Sequence, residues 1–292
     1  AHEAGIDTIL TCDNGIAAFQ EIMLAKELGL SVIITDHHEV PYEEESGERK
    51  YRVPPADAVV NPKQPDCPYP FKNLCGAAVA FKLIQVLYRE MGFPDEEALV
   101  YLENAAFATV GDVMDLQGEN RIIVKEGLKA LNQTKNYGMR ALASRNQIPL
   151  GAIKAYHIGF VLGPCLNASG RLDTAKRALL MLLAEDERQA AEYAAELYDL
   201  NASRKELTEQ GVRQAKALIG QMGLEKDKVM VIYLPDCHES LAGIIAGRIR
   251  EQYNRPVFVL TKSEGGVKGS GRSIEQYSMF EEMSKCKELF TK

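Results

Sequence analysis

Short runs of apolar and β-branched residues, most followed by a turn signal, set the frame of the chain. Thr8–Cys12 reads as a strand, Asp13-Asn14-Gly15 as a turn, and residues 17–29 as a helix whose apolar side is Phe19, Ile22, Met23, Leu24 and Leu28. Gly29 stands where a helix C-cap is wanted, and Ser31–Thr35 follows as a second strand. Strand, helix, strand in this order is a βαβ unit, so the two strands are expected to run parallel. The charged stretch Glu43–Arg52, with three adjacent Glu residues and Gly47, reads as a solvated loop, and Ala56–Val60 as a further strand before a Pro-rich turn. From Gly76 to about 185 the pattern is helical in pieces, 76–91, 95–110, 119–132 and 174–184, separated by Gly-Asp, Gly-Glu and Gly-Pro breaks.

Residues 186–222 contain no Pro and are rich in Ala, Glu, Leu, Gln, Arg and Lys, which predicts one continuous helix of roughly 55 Å. Its partial apolar stripe, Tyr193, Leu197, Leu200, Leu207, Ala215 and Leu218, suits a linker better than a core helix. A second α/β pattern then begins: strand 229–234, helix 240–252 with Ala242, Ile245, Ala246 and Ile249 on one side, strands 257–260 and 267–272, and a last helix. The expected fold class is α/β: a parallel-sheet domain over 1–185, a linker helix over 186–222, and a smaller α/β domain over 223–292. A core strand almost at the first residue and a last helix-like pattern near the end predict a fragment of a longer protein.

Composition narrows the function. The 292 residues carry a formal charge of −7, which argues against a broad basic face for duplex nucleic acid or anionic membrane and leaves metal-rich sites, small substrates or a locally basic groove. The charge is uneven, −8 over residues 1–150 against +1 over 151–292. No run approaches the roughly 18 apolar residues of a membrane span, and the first residues lack a signal-peptide pattern. The six cysteines are scattered without a C-x-x-C pair, so a cytosolic chain with reduced thiols is expected.

Candidate chemistry sits at strand ends, where open parallel sheets bind their ligands. T-C-D-N-G delivers Asp13 from the first strand, and V-I-I-T-D-H-H delivers Asp36, His37 and His38 from the second. With strands about 4.8 Å apart, these side chains can share one small ion. Asp112, in V-G-D-V-M-D-L, adds a third acid after an apolar helix. Each has a plain reading too: Asp-Asn-Gly is a common turn, and Gly-Asp after a helix is a common cap. Two adjacent histidines at the end of a buried strand are harder to explain as scaffolding. Oxygen and imidazole donors together suit Mn2+ or Mg2+ better than a thiolate-loving metal.

In order and spacing, T-C-D-N-G, D-H-H-E and V-G-D-V-M-D-L resemble three motifs of the DHH phosphoesterases. Within that superfamily the chain is similar to the RecJ-type single-stranded-DNA-specific exonucleases, through V-V-N-P-K-Q, G-P-C-L-N-A-S-G-R-L, the long helix, D-C-H-E-S-L-A-G-I-I-A-G-R-I and G-S-G-R-S. The resemblance implies a 5′-to-3′ exonuclease of DNA repair and recombination that uses two Mn2+ or Mg2+ ions. It makes Asp13 the carboxylate bridging both ions and His37 and Asp112 ligands of one. His38 would contact the scissile phosphate, and Asp36 would orient the imidazoles. Asn167, Gly170, Arg171, Ser270, Arg272 and Ser273 would hold the strand and its 5′ phosphate, with His238 and Arg248 as weaker candidates that also read as a cap and a solvated helix position. Single-stranded DNA with a 5′ end is the implied partner, with a single-strand-binding protein and a helicase beside it. The family's first motif and its Gly-Gly-His stretch do not occur in the sequence, so the resemblance leaves one well-formed metal site at most and little activity in these residues alone. A nano-RNA or cyclic-dinucleotide phosphodiesterase, or a non-catalytic single-strand-binding module, are the alternatives.

Overall fold

In the computed structural model, which describes residues 1–45 and 48–290, the chain divides into two units, Ala1–Gly163 and Pro164–Lys292. The division falls ahead of the edge at 185 expected from the sequence, and the long helix belongs to the second unit.

The first unit is built on a three-stranded parallel sheet of β1 (Thr8–Cys12), β2 (Ser31–Thr35) and β5 (Ala58–Val60), in the order β1-β2-β5. β2 is central and its Val32 and Ile34 are fully buried, packed with Ile22 and Ala25 of the helix Phe19–Glu27 and with Leu30. That helix stops as the sequence predicts. Gly29 adopts φ +78°, its N–H donates to Lys26 O (3.0 Å), and the Leu30 N–H donates to Ala25 O (2.9 Å). This left-handed cap turns the chain directly into β2. The parallel register, Thr8 with Ser31 through Cys12 with Thr35, places the residues following both strands side by side.

Residues read as a solvated loop form instead an exposed antiparallel hairpin of β3 (Tyr42–Glu45) and β4 (Glu48–Tyr51); Gly47 lies outside the described residues. Opposite charges face each other across it, Glu43 with Lys50 and Glu44 with Arg49, and Arg49 lies 4.5 Å over the Tyr42 ring. Helices Gly76–Glu90, Leu102–Gly111 and Gly118–Leu131 follow, around a core of Leu74, Ala78, Phe81, Ala105, Ala106 and Ile123. A helix at Tyr137–Arg145, capped by Asn136 Oδ1 accepting from the Met139 N–H (2.9 Å), has no counterpart in the sequence reading.

At the start of the second unit the helix Gly163–Leu172 continues directly from the π-helical turn Ile158–Leu162, so the expected Gly-Pro break does not interrupt the helix; the irregular turn lies just ahead of Pro164, which has no N–H to donate. The long helix runs Glu187–Met222, capped by Asp186 at its start and by Gly223 (φ +68°) at its end. Its buried line is Ala190, Ala194, Leu197, Asn201, Thr208, Gly211, Ala215 and Ile219. Only Leu197 and Ala215 of the predicted stripe lie on it. Small residues serve because a neighbouring helix comes close: a Cβ at Gly211 would stand 2.4 Å from Ile245 Cδ1 of the helix Glu239–Tyr253. A sheet of β6 (Met230–Tyr233), β7 (Val257–Ser263) and β8 (Gly266–Arg272) completes the unit, with β6 and β7 parallel and β8 antiparallel. Its core is Met230, Ile232, Leu241, Ile245, Ile249, Val257 and Val259.

Candidate metal centre and nucleic-acid-binding residues

The carboxyl ends of β1 and β2 bring Asp13, Asp36, His37 and His38 together. Asp13 leaves β1 in the left-handed region (φ +65°), which Asp tolerates better than most side chains, while its N–H donates to Thr35 O (3.0 Å). Its Oδ1 then lies 3.0 Å from His37 Nε2. Asp112, the residue that ends the helix Leu102–Gly111, brings Oδ2 to 3.5 Å from the same nitrogen. Donor atoms of Asp13, His37 and His38 all lie within 4.8 Å of one another.

Beneath them Asp36, 1% exposed, acts as a junction. Its Oδ1 accepts from the backbone N–H of His37 (2.7 Å) and of His38 (3.2 Å) and meets His38 Nδ1 at 2.7 Å, and its Oδ2 accepts from the Ile16 N–H (2.9 Å). Burial works against its charge, but the donors from Ile16, His38 and His37 prevail and hold the carboxyl below its usual range. The anion accepts from Nδ1 of His38 and so orients this half-exposed ring with Nε2 directed away from Asp36.

This donor set fits a divalent cation. Two carboxylates aimed at one imidazole nitrogen carry excess negative charge at a single point, with nitrogen and oxygen donors that match Mn2+ and Mg2+. The room for it is built in. A Cβ at Gly76, the first residue of its helix, would fall 2.4 Å from Asp13 Oδ1, so only glycine leaves that carboxylate in place. Buried Cys75 (2% exposed) adjoins this glycine, and burial pushes its thiol up, which keeps a competing thiolate out of the site.

The second unit assembles a separate group of donors. Arg171 Nη1 donates to Ser240 O (3.0 Å), and Ser240 Oγ donates back to Arg171 O (2.9 Å), clamping the helix Gly163–Leu172 to the start of the helix Glu239–Tyr253. His238 caps the latter and meets Ser240 Oγ at 2.8 Å, so its position is accounted for by the cap. Arg272 lies across the same helix. A Cβ at Gly243 would stand 2.8 Å from both Arg272 Nη2 and Ser270 Oγ, and one at Gly247 would stand 3.9 Å from Arg272 Cγ. The two glycines, one turn apart, make the bed for this side chain. Asn167 is exposed on its helix, and Gly170 is helical rather than a flexible joint. Ser273 is not brought to this group, since its hydroxyl donates to Tyr277 O within its own turn.

Sequence reasoning missed three residues here. Gly76 and Ser240 were given no role of their own in the sequence, and their roles depend on partners 63 and 69 positions away. Arg204, in the middle of the long helix, is half-buried, and its guanidinium is held below its usual range by burial and then by the neighbouring charges of Arg171 and Arg248. Its buried Nε has no partner among the described residues. The charges acting on Arg204 include two further guanidiniums and no carboxylate among the described residues, a grouping that suits an anion.

Comparison with known proteins gives the family. Residues 3–111 match the DHH family N-terminal domain and residues 226–290 the DHHA1 domain. The single-stranded-DNA-specific exonuclease RecJ of Bacillus subtilis is 38% identical over 289 residues, covering 98% of this chain and 35% of the relative. Its namesake of Escherichia coli is 35% identical over 305 residues, covering 99% of this chain and 51% of the relative. Among solved structures, RecJ of Thermus thermophilus in complex with Mn2+ superposes with a TM-score of 0.82 at 34% identity, covering 98% of this chain and 40% of the other. An exonuclease RecJ bound to manganese gives 0.79 at 34% identity, covering 98% and 68%. The chain thus spans about a third to a half of the length of these curated relatives.

Proposed function

The chain belongs to the DHH superfamily, in its RecJ-type branch, and from that premise we propose that it serves a metal-dependent 5′-to-3′ exonuclease that hydrolyses single-stranded DNA in repair and recombination. One observation carries the reading: Asp13 and Asp112 converge on His37 Nε2 at the ends of β1 and β2. When bound, Mn2+ or Mg2+ would supply a hydroxide near neutral pH and neutralise charge on the phosphate. The residues that would hold it are Asp13, His37 and Asp112. Asp36 keeps the two histidine backbones and the His38 ring in register, leaving His38 Nε2 directed away from its anchor, available to a phosphate oxygen or a departing alkoxide. In the second unit, Arg171, Arg272, Ser270 and Asn167 would take the strand and its 5′ phosphate, with Arg204 and Arg248 adding charge; Ser273 would contribute once its turn opens.

A polar strand-binding unit attached to the metal domain supports a polymeric substrate over a dinucleotide. No helix among the described residues is long and apolar enough to cross a membrane, which accords with work on DNA in the cytoplasm. A single-strand-binding protein and a helicase are the partners this activity calls for.

The test is degradation of a 5′-phosphorylated single strand by the full-length protein with Mn2+, beside the same duplex and a dinucleotide. Asp13→Asn, which keeps the tolerance for a left-handed backbone, and His37→Ala are expected to abolish cleavage while strand binding persists. Cleavage that survives either change, or a preference for the dinucleotide, would overturn the proposal.

A further inference from the structure

One feature of the first unit is used neither by the metal centre nor by the core. Tyr156 and Phe160 stand 63% and 70% exposed, with ring centroids 5.0 Å apart and planes inclined by 27°. Such a stacked pair of large rings in water is costly surface, since each could otherwise be buried. The backbone presents them deliberately. Residues Ile158–Leu162 form one π-helical turn, a geometry that recurs at functional sites. Ile158 and Leu162 are buried to 0% and 1%, anchoring that turn inward while Phe160 points out. The turn also rests on the helix that carries Asp112: a Cβ at Gly159 would lie 3.7 Å from Val110 Cγ1, within one helical turn of that acid.

We propose that Tyr156 and Phe160 form a stacking platform for an unpaired base of the nucleic-acid strand that the metal centre cleaves. The proposal rests on the exonuclease reading above and adds to it a specificity determinant. Base faces stack on aromatic side chains without regard to sequence, whereas a base inside a duplex already has both faces covered. A platform joined to the helix of Asp112 therefore favours single strands at the point of cleavage by recognising what a duplex cannot offer. The helix of Asp112 makes the platform continuous with the metal centre. Val113, the residue after Asp112, is itself 87% exposed at φ +56°.

The experiment is equilibrium binding by the full-length protein, in chelator so that no strand is cut, of single strands carrying one 2-aminopurine at successive positions. Wild type is expected to quench the probe at one position, and a strand made abasic there to bind about tenfold more weakly, as loss of one stacked base implies. Phe160→Ala and Tyr156→Ala should lose the quench and bind the normal strand about tenfold more weakly, yet bind the abasic strand as wild type does. Phe160→Trp should restore both signals. Because both rings are exposed, melting temperatures should stay unchanged. Equal affinity of wild type and Phe160→Ala, or an equal loss on normal and abasic strands, would overturn the platform and mean that the rings are covered by another part of the protein. The two readings fail separately: a wild type that cleaves single strands with an inert aromatic pair sinks only the platform, whereas a wild type that neither binds nor cleaves them sinks the exonuclease.

Discussion

Replacing Gly76 by Ala should separate stability from metal binding. Glycine is a poor helix residue, and by propensity alone Ala is worth up to about 1 kcal/mol in an open helical position. At Gly76, however, the new Cβ would lie 2.4 Å from Oδ1, 2.5 Å from Cβ and 2.6 Å from Cγ of Asp13. Carbon contacts need about 3.5 Å, so the side chain must retreat by roughly 1 Å. Rotation about χ1 does not relieve the overlap, because Cβ itself is too close. The backbone of Asp13 must move, and it is tied by its N–H to Thr35 O and already occupies φ +65°. Overpacking of this kind costs about 1–3 kcal/mol, which the propensity gain partly offsets, leaving a net destabilisation of about 2 kcal/mol or less. A displacement of about 1 Å in the metal-binding carboxylate should lower cleavage on the order of 100-fold. Calorimetric titration with Mn2+ and a thermal melt give both quantities. Gly220→Ala, in a helix with nothing within 4 Å of the new methyl, is the control and should be neutral or stabilising. A Gly76→Ala protein that binds Mn2+ and cleaves like wild type would refute the reasoning.

Two further outcomes follow from buried charges. Arg204→Gln removes one of three neighbouring cations, so strand binding should weaken and the slope of log affinity against log salt should shrink by about 0.7, while the melting temperature holds or rises; an unchanged slope would remove Arg204 from the strand site. Glu103 is 9% exposed and accepts from Thr134 Oγ1 (2.8 Å); burial pushes its carboxyl above 4.5, and the Thr134 bond only partly opposes this. A raised folded-state value means the native protein holds the proton more tightly, so stability is full below about pH 4.5 and declines as pH rises through the folded value. Glu103→Gln keeps an acceptor for Thr134 without the charge, so denaturant melts should show its stability relative to wild type improving as pH rises from 4.5 to 7, and the opposite trend would contradict this account.

Much of the candidate metal site was legible because strand ends are. The apolar runs gave β1 and β2 their bounds, and parallel pairing then had to place Asp13 beside His37. What escaped was whatever depends on small or polar residues. The long helix is buried mostly through Ala, Asn, Thr and Gly, which carry little apolar signal, and Gly211 reveals itself only against Ile245. The β3–β4 hairpin is held by cross-strand charge pairs, which a hydropathy pattern reads as a solvated loop. G-S-G-R does lie in the strand expected over 267–272, but the need for its glycines was not legible: a Cβ at Gly269 would strike Leu260 Cδ2 at 2.3 Å on the neighbouring strand. N-A-S-G-R, beyond the expected Gly-Pro break, is helical because the helix Gly163–Leu172 runs straight on from the π turn Ile158–Leu162 past Pro164. Gly76 and Arg204 owe their importance to neighbours remote in sequence, and no local pattern announces that.

The left-handed backbone at Asp13 has an evolutionary consequence. That conformation is open to Gly, Asn and Asp and strains most other side chains, while the site demands a short anion. Asp alone meets both conditions. Substitution by Asn or Gly preserves the backbone and discards the charge, and Glu preserves the charge and strains the turn. In its proposed role as a metal ligand the position can therefore be switched off by mutation but not graded, so metal affinity would be adjusted through surrounding residues such as Gly76 and Asp36 and not through the carboxylate itself.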